Sequence, residues 1–390
     1  MLIPCLLFFL FIFPEVSQAQ TNTGYCKGFD QALSQASKFR KLKVKNEVKC
    51  EEISKQGFSD LMKKTYSKSL NLKNEEIAYK MTGFIPQSYQ YAKCYYEDNL
   101  ESVSASYFPS KKTVFLPKEA TSELLVHEAT HALQDQHFDL VSLSKKTAIS
   151  TDSVLAFTAV AEGDAELVER EFSKSKFSKN NKSNYVPEKK IEKSKCTIPQ
   201  SIIFQLDFPY FWGTRYLKKL ENTNKAFSDY PKHTTQILYP KKDFNFKAVE
   251  KKEVLKFALA NQKKLETEPV YEDSWGEYTL RCLLRELLGP TKALIAAKGW
   301  LGDKILVLKS KDKGYVTSWV FNLETKKDVK ELFIALAKSV EKRFPESKFF
   351  KEGFKQGSNR ISYGDSFYTK IILEKDISNK KIRFLVSDIK

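Results

Sequence analysis

Apolar and polar positions alternate along this chain with two different periods. In the first hundred residues, stretches such as "DQALSQASKFRKLK" and "GFSDLMKKTYSKSL" set apolar residues three and four apart among lysines, which predicts amphipathic helices across 20–100. The period then drops to two. "SVSASYF" and "KTVFLP", joined by Pro109-Ser110-Lys111-Lys112, predict a strand hairpin ended by Pro117. Helical spacing returns at Leu125, Ala129, Ala132 and Leu133, with Thr121 or Ser122 as the cap, and a second helix runs from about Asp152 through "SVLAFTAVAEGDAELVEREF".

Between Lys174 and Lys195 the chain is polar and lysine-rich, which predicts a solvated loop or insertion. Helices follow in "IPQSIIFQLDFPYFWGTRYLKKL" and "EDSWGEYTLRCLLRELLG", then a strand hairpin turning near Gly314, a helix over "KKDVKELFIALAKSVEKRF", and two terminal strands, "SFYTKIILE" and "KIRFLVSDI". Strands and helices mix without βαβ alternation, so the expected class is α+β, mostly helical, with a small sheet before the 122–138 helix, and not a doubly wound sheet. The expected organisation is a helical region at 20–100, a core at 101–172, a loop or insertion at 173–197 and an α+β region at 198–390 packed on the core.

Composition adds scale and compartment. A chain of 390 residues, 42% hydrophobic, can bury a large core. Residues 1–19 form a short apolar run ending in Ser17-Gln18-Ala19, bracketed by Pro4 and Pro14 and too short to span a bilayer comfortably. This reads as a secretory signal cleaved before Gln20, with no stable membrane insertion afterwards and a periplasmic or extracellular location. Of the remaining cysteines, Cys26, Cys50, Cys94, Cys196 and Cys282, four could form two disulfides of undecided pairing, or all could be reduced and buried. The net charge of +17 comes from lysines scattered over every segment, and only eight residues are arginine. That is a lysine-rich composition more than a recognition surface, so no specific nucleic-acid partner is expected.

Chemistry is concentrated in "LLVHEATHALQDQHFDL", which carries three of the four histidines. His127, Glu128 and His131 form H-E-x-x-H. Residues four apart share a helix face, so both imidazoles can bind one zinc ion, with Glu128 beside the open position as general base. A catalytic zinc needs a third protein ligand. His137 has the spacing of one zincin class, but Gln134 stands where that class needs a helix-breaking glycine, so the helix should carry His137 away. Glu162 in "AVAEGDAELVE" is the stronger candidate, with Glu166 one turn on to orient a ligand histidine through its other ring nitrogen. His233 and Tyr239 are candidates for stabilising an oxyanion. Trp275, Gly276, Trp300, Gly302 and Asp303 suggest tight turns and core packing.

"HEATHALQDQHFDL" followed by "AEGDAE" resembles an uncharacterised group of secreted bacterial proteins with HExxHALQDQ and EGxA motifs, itself similar to the gluzincin metallopeptidases. "SYFPSKKTVFLP", "FPYFWGTRYL", "HTTQILYPKKDF" and "AAKGWLGDK" extend the likeness over most of residues 80 to 325. The resemblance implies a zincin-like fold, Glu162 as third zinc ligand, and reception of extended substrate on the strand at about Thr113 to Leu116. Two departures, His233-Thr234-Thr235-Gln236 in place of an acidic segment and Tyr239 in place of histidine, put the role of that segment in doubt. The expected function is a zinc metalloendopeptidase acting on peptides or proteins, with Glu128 as base. The alternative is a secreted zinc-containing binding protein or adhesin without turnover.

Overall fold

The computed structural model describes residues 24–66, 71–95, 103–177, 196–344, 348–349, 359–364 and 370–388. The expected signal segment and residues 178–195 of the lysine-rich stretch lie outside the described residues. The helices used below are α1 (Phe29–Arg40), α2 (Lys55–Tyr66), α3 (Leu72–Thr82), α4 (Ser122–Phe138), α5 (Leu140–Thr147), α6 (Thr151–Phe177), α7 (Gln200–Leu217), α8 (Lys225–Ser228), α9 (Thr234–Leu238), α10 (Lys251–Asn261), α11 (Gly276–Leu288), α12 (Pro290–Ala297) and α13 (Lys326–Arg343). The chain is mixed α and β, mostly helical, and no helix among the described residues is long and apolar enough to cross a membrane.

Two sheets are present among the described residues. The smaller has strand order β1-β3-β2, from β1 (Lys49–Glu52), β2 (Ser106–Phe108) and β3 (Thr113–Leu116). The hairpin β2/β3 turns through Pro109 to Lys112, and β3 also pairs in parallel with β1. Strand β1 is a correction: 20–100 reads as wholly helical, and "KCEE" has no apolar alternation to announce a strand. The Cys26–Cys50 disulfide ties this segment to the turn preceding α1, while the ladder with β3 satisfies its backbone.

The larger sheet has seven strands in the order β4-β5-β6-β10-β9-β8-β7, from β4 (Tyr271–Asp273), β5 (Trp300–Lys309), β6 (Tyr315–Leu323), β7 (Lys348–Phe349), β8 (Arg360–Gly364), β9 (Lys370–Asp376) and β10 (Lys381–Ser387). Its strands read as nearly continuous apolar runs because both faces are covered. Ile305, Val307, Trp319, Phe321, Leu373 and Phe384 join the main core, while Leu306, Leu308, Val316, Val320, Ile372 and Leu385 pack on the other face with Val254 and Phe257 of α10. That partition follows from the two-residue period of a strand.

Helix α6, 27 residues long, crosses the molecule and continues to Phe177, taking in the first five residues of the loop expected to start at Ser173. It meets α7 at a glycine pair. A Cβ on Gly163 would lie 2.5 Å from the Gly213 carbonyl carbon, and a Cβ on Gly213 would lie 1.9 Å from the Ala159 oxygen. Two backbones can approach so closely only where neither residue has a side chain. At the N-terminal end of α6, buried Asp303 accepts from the Trp275 and Gly276 amides, from Ser274 and from the indoles of Trp300 and Trp319, which brace the turn into α11. The remaining cysteines form Cys94–Cys196, and Cys282 is a buried free thiol.

Candidate metal centre

Helix α4 starts where Thr121 accepts from the Leu124 amide and ends where Asp139 takes a left-handed conformation. One side of it, with Leu125, Ala129, Ala132 and Leu133, packs on Ala32, Leu33 and Ala36 of α1. The opposite side carries His127 and His131 towards α6, which runs antiparallel to it: His127 meets Glu162 and Glu169, whereas Gln134 meets Ala161 and Asp164.

Three buried side chains converge there. Glu162 Oε2 lies 3.2 Å from His127 Nε2 and 3.5 Å from His131 Nε2, and one ligand atom from each residue lies within 4.8 Å of the others. The His127 and His131 rings are 4.9 Å apart. Two imidazole nitrogens and one carboxylate oxygen in a dry setting are a donor set that suits a borderline cation such as zinc and leaves coordination positions for other molecules. The residues present therefore fit a metal ion. Without one, burial works against charge on all three; yet the two imidazoles hold Glu162 well below the ordinary carboxylate range, while Glu162 and Glu169 hold His127 well above the ordinary imidazole range.

Glu128 is buried beside this cluster, and burial raises its carboxyl above the usual range against the pull of both histidines. Its Oε2 accepts from the Tyr107 amide at 2.7 Å. Tyr107 belongs to β2, an outer strand of the small sheet. That corrects the expectation for Thr113 to Leu116: β3 is the middle strand, paired on both sides, so its backbone is not available to an extended ligand. The Tyr107 hydroxyl donates to Asp135 at 2.7 Å, two turns along α4 from Glu128, so one residue fixes the edge strand to the helix at both ends.

Glu166 stands with Glu169 beside His127, one ligand atom of each residue within 4.8 Å of the others. Its carboxylate accepts from Arg170 at 2.8 Å, and Glu169 is the residue that backs His127, with Oε2 3.0 Å from Nδ1. A carboxylate can only accept, so Nδ1 carries a proton, and an ion bound between His127 and Glu162 would take the lone pair of Nε2. The seven-residue interval from Glu162 to Glu169 is two helical turns and keeps both on one face, which is the signal in the sequence that points to Glu169.

His233 and Tyr239 are not brought to the cluster. His233 Nδ1 lies 2.8 Å from Asp152, which precedes Glu162 by ten residues on α6 and hence by about 15 Å along its axis. Tyr239 bonds Glu277 and Arg281 on α11, whose first residue packs against Asp152 at that same remote end. His137, on a helix that continues to Phe138, lies 2.8 Å from the Lys43 carbonyl. A phenol that the fold does bring near is that of Tyr210 of α7, its ring 6.5 Å from that of His127.

No family model, curated protein or solved structure matches the chain.

Proposed function

We propose that this protein is a zinc-dependent peptidase, with His127, His131 and Glu162 holding the ion and Glu128 as general base. The observation that carries the reading is the buried convergence of the three ligand atoms within 4.8 Å, with a fourth titratable group, Glu128, buried beside them and not among them. A purely structural zinc site is usually closed by four protein ligands and needs no adjacent base. Bound zinc would polarise a peptide carbonyl and activate water for attack. Glu128, next to His127 in sequence, would take the proton of the attacking water and return it to the leaving amine. Peptide is the substrate class this reading assigns, from the H-E-x-x-H arrangement with Glu128 held beside the cluster by the Tyr107 amide. Tyr210, in place of His233 and Tyr239, would stabilise the oxyanion.

The test compares wild type with Glu128→Gln on a mixed peptide library while zinc content is followed in both. Chelator-sensitive cleavage by wild type alone, with zinc retained in the variant, supports the peptidase; zinc in both without cleavage by either supports a non-catalytic binding protein.

A further inference from the structure

His131 lacks the carboxylate that backs His127. Its Nδ1 lies 3.0 Å from Gln134 Oε1, one turn on along α4, and an amide can present either an acceptor or a donor to a ring nitrogen. What decides between the two is the other end of that amide. Gln134 Nε2 lies 2.9 Å from the Ala161 carbonyl oxygen and 2.9 Å from Asp164 Oδ2. Both neighbours are acceptors, so the amide nitrogen faces them and the oxygen faces His131. The same Asp164 oxygen accepts from Arg40 Nε at 2.7 Å, and the Arg40 guanidinium also bonds Asn224. Gln134 is fully buried, and Asp164 and Arg40 are 2% and 9% exposed, so water does not offer the amide an alternative.

We infer that Gln134 is the positioning residue that keeps the proton of His131 on Nδ1 and the lone pair of Nε2 aimed at the metal, and that the Arg40–Asp164 pair sets the direction of the Gln134 amide. The chain of donors runs one way: His131 Nδ1–H to Gln134 Oε1, Gln134 Nε2–H to Asp164, and Arg40 Nε–H to Asp164. With the amide reversed, its oxygen would face two oxygens, its NH2 would face Nδ1, and the imidazole proton would have to sit on Nε2, where a metal must bind. Helix α1, far upstream in sequence, thereby reaches the cluster through Arg40.

This inference rests on His131 as a metal ligand. Its test is a double-mutant cycle on zinc affinity, read by competition with a chromophoric chelator, over wild type, Gln134→Met, Asp164→Asn and the double variant. Asp164→Asn is informative because the Asp164 side chain bonds Gln134 and Arg40 and none of the three metal ligands, and its new NH2 can donate to a reversed Gln134. Gln134→Met should weaken zinc by about 10–100-fold, Asp164→Asn by about tenfold or more, and the double variant no further than Gln134→Met alone. Unchanged affinity in Asp164→Asn, or two losses that simply add, overturns it. Should a variant fail to fold, nitrogen NMR on histidine-labelled, zinc-free wild type, at a pH where the ring is neutral, decides the matter: a proton on His131 Nδ1 supports the inference and a proton on Nε2 refutes it. A wild-type chain that takes up no zinc defeats the metal reading instead, and leaves the tautomer result to stand on its own.

Discussion

Glu169 Oε2 sits 3.0 Å from His127 Nδ1, two turns of α6 beyond the carboxylate that meets the other nitrogen of the same ring. His127 is thus held between two glutamates of one helix, one on the ligand side and one behind it. Because Glu169 can only accept, it fixes both the ring orientation and the position of the ring proton. Replacing Glu169 by alanine is expected to weaken zinc binding by about 10–100-fold, whereas Glu166→Ala, whose carboxylate is bonded to the half-exposed Arg170, should weaken it far less. Chelator competition on the two variants side by side checks the assignment.

The glycine pair makes a second prediction, this one on stability. Gly213→Ala would drive a methyl into the Ala159 carbonyl, and Gly163→Ala would drive one into the Gly213 backbone, so α6 and α7 must separate. Each substitution is expected to cost about 1–3 kcal/mol in chemical denaturation. Glu162 adjoins Gly163, so Gly163→Ala also displaces a ligand, and zinc affinity should fall with it.

Tyr210 separates catalysis from binding. With the ring standing beside His127, Tyr210→Phe should lower kcat by about 10²–10³-fold while zinc content and KM stay close to wild type. Equal losses in His233→Ala or Tyr239→Phe would contradict the placement of those residues at the remote end of α6.

Stability should depend on Glu75, in a direction opposite to most carboxylates. Burial among Tyr79, Tyr91 and Asp273 raises it from 4.5 to about 7, against the hydrogen bonds of the two tyrosines. The folded chain therefore keeps a proton that the unfolded chain releases between about pH 4.5 and 7, so this residue's contribution is complete below that window and is lost as pH rises through it. The thermal midpoint should fall across this range, and in Glu75→Gln the fall should be shallower. An identical slope in both would assign the effect to other groups.

The pattern along the chain made much of this legible, and particular residues show where it stopped. Helices α4 and α6, the β2/β3 hairpin and the hairpin turning at Gly314 follow from local periodicity, and His127, His131 and Glu162 follow from residue type at fixed intervals. What was hidden depends on the relative direction of two elements. Antiparallel packing of α4 on α6 decides that Glu169 is bonded to the back of His127; parallel pairing with β1 decides that β3 is interior. Gln134 reads as an ordinary helix former until Asp164 and Ala161 are placed across from it. His233 and Tyr239 are chemically able residues whose partners, Asp152 and Glu277, hold them elsewhere.

Titrating zinc into the chelator-stripped chain, wild type against Glu162→Ala, tests the account most directly. One zinc ion per wild-type chain, with affinity reduced by a hundredfold or more in the variant, as expected when a buried ligand of a three-residue site is lost, is the predicted result. No binding by wild type, or binding that Glu162→Ala leaves unchanged, would contradict it.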